Sequence, residues 1–275
     1  MTTIVYCHAH PDDEASQTSG AMARASAEGH RVVVVFATNG DHGEVAADAV
    51  EGESVAEYRR REAESSAKVL GLARIVWLGY ADSGMTGWDQ NDAEGSFHRA
   101  DLGEAAQRLA DVLDEEDADI LIGYDWHGGY GHPDHVKVHH LVHAAVPLAR
   151  RTPRLLESTF NRTDMVRQLA EAKELGIDFG DWDPEAPMDD GNPLGTPEEE
   201  ITWEVDVSAY IDQKRSSLEA HRSQASDIEQ FLGMTPEVFG RAFGLEHYIE
   251  PGVEGPMRRG WPFSSPASGE SVVYR

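Results

Sequence analysis

A short turn near the amino terminus limits the fold of this chain more narrowly than any other segment. The turn, His10-Pro11-Asp12-Asp13-Glu14, follows the apolar residues 4–7 and precedes residues 15–29, which are mostly small and compatible with a helix. This order predicts a strand, a turn and then a helix, with the turn at the carboxyl end of the strand. Ligands of open α/β sheets bind at that edge, so the turn is the first candidate for a functional site.

The residue types of this turn favour a metal site. His10 offers an imidazole nitrogen and Asp13 a carboxylate oxygen, and both suit zinc. Pro11 fixes its own φ and holds His10 in an extended conformation. Asp12 can point away from the metal and act as a base. The alternative is that the turn only caps the following helix, because Pro and Asp are common at helix starts.

A second stretch, residues 126–135, favours the metal site over the cap. It ends in His132-Pro133-Asp134-His135, follows the apolar residues 120–124 and precedes a helical pattern over residues 136–149. If the two strands are neighbours in a parallel sheet, the two turns meet at one edge. His10, Asp13 and His135 would then hold one metal ion and leave a position for water, as in catalytic zinc sites.

Together the two motifs resemble those of the PIG-L/LmbE-like family of zinc-dependent de-N-acetylases, and within it the mycothiol-pathway branch. The resemblance runs from about residue 3 to residue 224. It implies a Zn²⁺-dependent hydrolase that removes an N-acetyl group from an N-acetylated amino sugar or glycoside, although Fe²⁺ or another divalent metal suits the same ligands. The alternatives are a mycothiol S-conjugate amidase and a deacetylase of a secondary-metabolite sugar. A binding module without turnover is least favoured, because it needs neither Asp12 nor His132.

The mechanism expected of such a site gives roles to four residues around the metal. Asp12 would be the general base that takes a proton from water. His132 and Tyr130 would stabilise the tetrahedral oxyanion. Asp134 would accept a hydrogen bond from His132 and favour its protonated form. Either His132 or protonated Asp12 would then protonate the leaving amine.

Four further residues are candidates for contacts with the substrate. The family's Arg-x-x-Glu pattern matches Arg59 and Glu62, and its Asp-Ser-Gly-Met segment begins here at Asp82. The resemblance therefore implies that Arg59 and Asp82 bind sugar hydroxyls. It also places Glu44 on the wall of the site and brings His221 toward it. The alternatives are a solvated helix face for Arg59, an Asx-turn for Asp82 and a helix-end histidine for His221.

The alternation of apolar runs and amphipathic stretches predicts an α/β fold with a Rossmann-like, mostly parallel sheet flanked by helices. Strands are predicted over residues 3–8, 31–37, 74–78, 120–124 and 155–160, with an edge strand over residues 201–207. Helices are predicted over residues 15–28, 55–70, 102–113, 136–149, 164–175 and 210–222. Residues 1–250 are expected to form one domain, in which residues 176–200 are expected to be a lid or an oligomer contact. Residues 251–275 are expected to be a mobile or chain-wrapping tail.

The charge balance and the single cysteine limit the partners and the compartment. The chain carries 23 Lys and Arg against 50 Asp and Glu, and no Lys/Arg cluster offers a phosphate-binding face, which argues against nucleic acid and anionic membranes. Cys7 is expected to be a core residue, and one cysteine permits no intramolecular disulfide. Without a signal-peptide pattern or a membrane-spanning run, a cytoplasmic protein is expected. The expected partner is a small N-acylated amino sugar, and homo-oligomerisation is left open.

Three more histidines follow the second motif on the same predicted helix. His135 and His139 share a helix face, as do His139 and His143, so a second metal site is conceivable. The family pattern uses only the first histidine of this helix, and the sequence shows no acidic partner for the others. We therefore expect His139, His140 and His143 to be structural.

Overall fold

The structure of the chain is a computed structural model that describes residues 1–44, 52–174, 180, 182–188 and 190–263, with residues 225–227 described by their backbone alone. The strands of these residues are β1 (Thr3–His8), β2 (Arg31–Thr38), β3 (Arg74–Tyr80), β4 (Ile120–Tyr124), β5 (Arg154–Thr159), β6 (Trp203–Asp206), β7 (Leu245–Ile249) and β8 (Arg258–Arg259). The α-helices are α1 (Asp13–Gln17), α2 (Ser19–Ala27), α3 (Val55–Leu70), α4 (Leu102–Glu116), α5 (Pro133–Ala145), α6 (Arg162–Glu174), α7 (Ile211–Ala220), α8 (Ala225–Leu232) and α9 (Pro236–Phe243).

The strands form one sheet in the order β3-β2-β1-β4-β5-β7-β6-β8. β1 pairs in parallel with both β2 and β4, and Ile4 of β1 lies opposite Ile120 of β4. The chain therefore leaves β1 on one side for β2 and β3 and on the other for β4 and β5. This puts the topological switch point, where ligands of such sheets bind, between β1 and β4. The predicted α/β, Rossmann-like fold is confirmed, and the two His-Pro-Asp turns meet at one edge.

Both faces of the central strands are buried, which explains their continuous apolar sequences. Cys7 packs on one face with Leu109 of α4 and Val138 of α5. Tyr6, its neighbour in β1, packs on the opposite face with Met22 of α2. Burial raises the pKa of the Cys7 thiol to about 12. Cys7 is fully buried, so the expectation that it is a core residue is confirmed.

The first predicted helix, over residues 15–28, is two helices in the structure. Thr18 separates α1 from α2 and has φ −125°, which is outside the helical range. Its side-chain oxygen is hydrogen-bonded to His8 Nε2 at 2.9 Å, in the buried space at the end of β1. This tertiary contact holds the chain out of the helix at that point, and the local sequence does not reveal it.

The structure also corrects the predicted edge strand and shows the position of the first part of the tail. The strand within residues 201–207 lies between β7 and β8, so the edge position belongs to β8. The chain after residue 251 returns to the sheet through β8 and buries Phe263 completely. That part of the tail therefore wraps onto the domain, while residues 264–275 lie outside the described residues.

The described parts of the predicted lid pack against the second His-Pro-Asp turn. The Gly195 N–H donates to the Gly129 carbonyl at 2.7 Å. Asp190 Oδ2 lies 3.4 Å from His127 Nδ1. Residues 175–179, 181 and 189 lie outside the described residues. Among the helices that the structure describes, none has an apolar stretch long enough to cross a membrane.

Candidate active site

The structure brings together His10, Asp13 and His135, the three residues expected to hold a metal. Asp13 Oδ2 lies 3.4 Å from His10 Nδ1, and Asp13 Oδ1 lies 3.2 Å from His135 Nε2. The centroids of the two imidazole rings are 5.3 Å apart. All three side chains are buried. Two imidazole nitrogens therefore approach the two oxygens of one carboxylate at the switch point of the sheet.

The hydrogen bonds of the two histidines indicate which nitrogen of each carries a proton. His10 Nε2 donates to Asp134 Oδ2 at 3.2 Å, and His135 Nδ1 donates to the Gly128 carbonyl at 3.1 Å. In the neutral rings the other nitrogen then has a lone pair, which faces Asp13. His135 Nε2 is buried and has no hydrogen-bond partner among the described residues. The lone pairs of the two imidazoles and the Asp13 oxygens are acceptors that face one another, an arrangement that fits a shared cation. The hydrogen bonds from the other nitrogens to Asp134 and Gly128 are of the kind that metal-binding histidines make.

The charges around His10 also favour a cation. Asp82 Oδ1 lies 3.5 Å from His10 Nε2, and Asp134 Oδ2 lies 3.2 Å from the same nitrogen. Burial disfavours a charged His10, but Asp82, Asp13 and Asp134 together raise its pKa well above the usual value. The site therefore stabilises positive charge, which a divalent metal would supply in competition with protons. The residues present thus fit a metal ion.

Gly128 allows the second turn to hold His135 in this orientation. Its φ is +67°, and a Cβ atom there would lie 2.3 Å from the Cβ of His135. A side chain would therefore clash with the histidine that the Gly128 carbonyl orients. Only glycine adopts this conformation at such a close approach without strain.

Asp12 lies beside the cluster in a strained backbone conformation, with φ 120° and ψ −27°. Within the described chain its side chain makes no capping bond to α1, so the helix-cap alternative is wrong. Asp12 Oδ1 instead pairs with Arg59 Nη2 at 3.0 Å. Burial raises the pKa of Asp12 to about 6, although Arg59 opposes the rise. A carboxyl group with that pKa can accept and release a proton near neutral pH.

His132 lies against both metal-site histidines but differs from them in its proton. Its Nδ1 accepts a hydrogen bond from the Asp134 N–H at 3.1 Å, so Nε2 carries the proton of the neutral ring. The His132 ring centroid is 4.6 Å from that of His10 and 5.1 Å from that of His135. Burial, together with His10 and His135, lowers the pKa of His132 to about 2. His132 is thus arranged as a neutral hydrogen-bond donor.

This arrangement corrects the expected pairing of Asp134 with His132. The Asp134 carboxylate accepts from His10 Nε2 and, at 2.9 Å, from the Ser83 N–H. Its backbone N–H, rather than its carboxylate, bonds His132. Pro133 begins α5 and has no N–H, so the Asp134 N–H is the first donor available to His132 at the N-cap. The expectation of a protonated His132 is wrong for the same reason.

Comparisons with known proteins identify the family of this chain. The family model described as "PIG-L: GlcNAc-PI de-N-acetylase" matches residues 5–146. The chain belongs to the PIG-L family. A 1D-myo-inositol 2-acetamido-2-deoxy-alpha-D-glucopyranoside deacetylase of Saccharomonospora viridis is 36% identical over 253 residues, which cover 88% of this chain and 90% of that protein. The deacetylase of the same name from Acidothermus cellulolyticus is 34% identical and covers 90% of this chain and 88% of its own.

A solved structure shows that the fold is shared as well. The N,N'-diacetylchitobiose deacetylase from Pyrococcus horikoshii has a TM-score of 0.56 to this PIG-L protein at 23% identity, covering 90% of this chain and 82% of that chain. The region matched by the family model contains both His-Pro-Asp turns. It therefore includes every side chain of the metal cluster described above.

Arg59 of this PIG-L protein supports the first turn. It is 3% exposed, bonds the Pro11 carbonyl and donates from Nη1 to the Gly40 carbonyl at 2.9 Å. Its pairing with Asp12 adds a charge partner for the buried guanidinium. These contacts direct the Arg59 side chain at the turn, and its contact with sugar hydroxyls stays a prediction. They also exclude the solvated helix face.

The other three candidates for substrate contacts, Asp82, Glu44 and His221, differ in their exposure to solvent. Asp82 borders His10, and its Oδ1 accepts the Gly84 N–H at 2.8 Å, so the Asx-turn is present. Burial disfavours ionisation of Asp82, but His10 holds the pKa of its carboxyl group well below the usual value. Glu44 is exposed, and its N–H donates to Gln224 at 3.2 Å. His221 is fully buried, which corrects the expectation that it contacts substrate.

Two residues with evident roles at the site were not among the predicted ones. The Tyr124 hydroxyl donates to Asp13 Oδ2 at 2.9 Å. Glu14 Oε1 accepts from His221 Nε2 at 2.7 Å, and Glu14 Oε2 accepts from the Asp12 N–H at 3.0 Å. His221 therefore acts on the strained turn through Glu14. The position of Tyr124 at the end of β4 and of Glu14 inside the first turn were the available signals.

Proposed function

We propose that this PIG-L protein is a metal-dependent amide hydrolase that removes an acetyl group from an N-acetylated amino-sugar glycoside, with Zn²⁺ as the metal. The proposal rests on one observation, that His10 and His135 both direct a lone pair at Asp13 with Asp12 beside them. The substrate class comes from relatives named as deacetylases of 1D-myo-inositol 2-acetamido-2-deoxy-alpha-D-glucopyranoside, which match about nine-tenths of this chain.

In the proposed reaction, the metal ligands and Asp12 have different roles. His10, Asp13 and His135 would hold the metal, and a bound metal would supply Lewis acidity to the acyl carbonyl and to the attacking water. Asp12 lies beside these ligands and would take the proton from that water as general base. Its pKa of about 6 leaves it ionised at neutral pH and able to release the proton afterwards. Arg59 and Glu14 hold the turn that carries it.

His132 and Tyr130 are proposed to stabilise the oxyanion that forms at the acyl carbon. The Nε2–H of neutral His132 is a donor beside the metal ligands. The Tyr130 ring lies with its centroid 4.9 Å from that of His135 and 6.2 Å from that of His132, so its hydroxyl belongs to the same region. The leaving amine takes its proton from Asp12, which acquired it from the attacking water. Asp134 contributes by orienting His10.

Release of primary amine from a panel of substrates tests the proposal. The panel contains N-acetylglucosaminyl-inositol, a simple N-acetylglucosamine glycoside and a mycothiol S-conjugate. We expect release from the first, less from the second and none from the third. Release from the S-conjugate alone would replace the deacetylase with an amidase, and no release from any would leave a binding module.

A pair of variants links the activity to the site. Asp12→Asn should abolish most of the release while the metal content stays unchanged. Asp89→Asn is the matched control, because Asp89 is an exposed aspartate of the loop after Asp82. Equal activities of the two variants would contradict the assignment of Asp12 as the base.

A further inference from the structure

A second cluster of metal-ligating side chains lies outside the active site. His139 and His143 are one turn apart on α5, and Glu157 lies on β5. Glu157 Oε1 is 2.5 Å from His143 Nε2 and 3.3 Å from His139 Nδ1. One potential ligand atom from each of the three residues lies within 4.8 Å of the others. The acidic partner that the sequence did not reveal is therefore present.

Glu157 depends on these two histidines for its charge. Its side chain is 8% exposed, and its salt-bridging partners in the described part of the chain are His139 and His143. Burial raises the pKa of the Glu157 carboxyl group, and His143 opposes the rise. A buried carboxylate without Lys or Arg nearby is stabilised by a bound cation. His143 is 39% exposed, so the cluster is reachable from solvent.

The cluster is separated from the active site by Tyr124. His139 Nδ1 donates to the backbone carbonyl of Tyr124 at 3.1 Å. The hydroxyl at the far end of the same residue donates to Asp13 Oδ2 at 2.9 Å. His139 also lies one helical turn after His135 on α5. The two clusters thus lie at the backbone and the hydroxyl ends of one buried residue, Tyr124, and share no ligand.

We propose that His139, His143 and Glu157 form a second site for a divalent transition-metal ion of the zinc type. Two imidazoles at i and i+4 of a helix with one carboxylate are a recurring zinc ligand set that leaves a fourth position for water. Ligand atoms around tetrahedral zinc lie roughly 3.3 Å apart, the distance already found between His139 Nδ1 and Glu157 Oε1. Binding through Nδ1 would replace the hydrogen bond of that nitrogen to the Tyr124 carbonyl. His143 must move by about 1 Å, which its exposed position permits.

This second site binds zinc more weakly than the active site. Its imidazoles are 16% and 39% exposed, whereas those of His10 and His135 are 9% and 0% exposed. Metal binding must also displace the existing hydrogen bond between His143 and Glu157, since a ligating nitrogen cannot keep that proton. A bound ion would tie α5, which carries His135, to β5.

Zinc analysis after equilibrium dialysis of the full-length protein tests the second site. We expect about two zinc ions per wild-type chain at high free zinc, and about one in both His143→Ala and Glu157→Gln. His140→Ala is the matched control, since His140 is an exposed histidine of the same helix outside the cluster, and it should keep about two. His135→Ala should keep about one, held by the second site.

Two results would overturn the proposal. One is a wild-type chain that takes up a single zinc ion, and the other is a His143→Ala chain that still takes up two. His143 is not part of the proposed catalytic machinery, so His143→Ala should retain the wild-type rate of amine release. Two bound zinc ions without amine release would refute the proposed function while leaving the second site standing.

Discussion

Removal of His221 should destabilise the protein through Glu14. Glu14 Oε1 accepts from His221 Nε2 at 2.7 Å and from Ser66 Oγ at 2.6 Å. Burial alone would raise the pKa of Glu14, but His221 and then Ser66 more than reverse this and lower it from 4.5 to about 2. A shift of that size corresponds to about 3 kcal/mol of stability. His221 is the largest of the groups that lower this pKa, and breaking a buried pair costs about 3–5 kcal/mol, so we expect His221→Ala to lower the free energy of unfolding by about 3 kcal/mol.

The loss of stability in His221→Ala should depend on pH. The folded-state pKa of Glu14 is depressed, so its contribution is present above pH 4.5 and disappears as the pH falls toward about 2. The folded-state pKa of His221 is raised, so its contribution is complete below pH 6.5 and disappears as the pH rises through that raised pKa. The difference between wild type and variant should therefore be largest between pH 4.5 and 6.5.

Urea unfolding followed by circular dichroism measures this difference. Arg241→Ala is the matched control, because it removes an ion pair with Glu171 whose side chains are 63% and 51% exposed. Such a surface pair should contribute no more than about 1 kcal/mol. The reasoning is refuted if, between those pH limits, His221→Ala lies within about 1 kcal/mol of wild type or is no less stable than the control.

Three further predictions concern the proposed active site. Asp12→Asn should lower turnover by about 10²- to 10⁴-fold with unchanged metal content. Amine release measures the turnover and elemental analysis measures the metal content. Turnover equal to that of the wild type would contradict the assignment of Asp12 as the general base. His132→Ala should keep the metal and lower turnover about 10²-fold or more, whereas loss of the metal in this variant would make His132 a ligand. Gly128→Ala should weaken metal binding by about 10-fold or more, because its Cβ would lie 2.3 Å from that of His135; a chelator competition assay showing wild-type affinity would contradict the role given to this glycine.

The sequence predicts the core of the fold because the central strands β1 and β4 share one sequence pattern. β1 and β4 are both continuous apolar runs that end in a His-Pro-Asp turn and lead into a helix. Parallel strands covered on both faces produce that pattern, and their carboxyl ends share one edge. The meeting of the two turns follows from this adjacency. α3 was equally predictable, since Ser54 forms a capping box and Gly71 ends the helix at φ 70°.

The remaining features depend on tertiary contacts, which the spacing of residues along the sequence does not predict. Glu157 reaches the α5 histidines because β5 pairs beside β4, with Glu157 opposite Gly123. Which ring nitrogen of His132 carries the proton depends on a hydrogen bond from a backbone N–H at the start of α5. The sequence motif does not specify this hydrogen bond. The partnership of Glu14 with His221 joins residues 207 positions apart. Residues 225–250, which form α8, α9 and β7, carry patterns too short for sequence analysis to assign.

A zinc titration of metal-free protein tests the central claim most directly. Chelator-treated protein is given increasing zinc, and release of acetate from N-acetylglucosaminyl-inositol is followed at each step. If His10, Asp13 and His135 hold the catalytic ion, activity should rise from near zero and level off at about one zinc ion per chain, before any weaker site fills. Full activity without added metal, or none at any zinc concentration, would contradict the account.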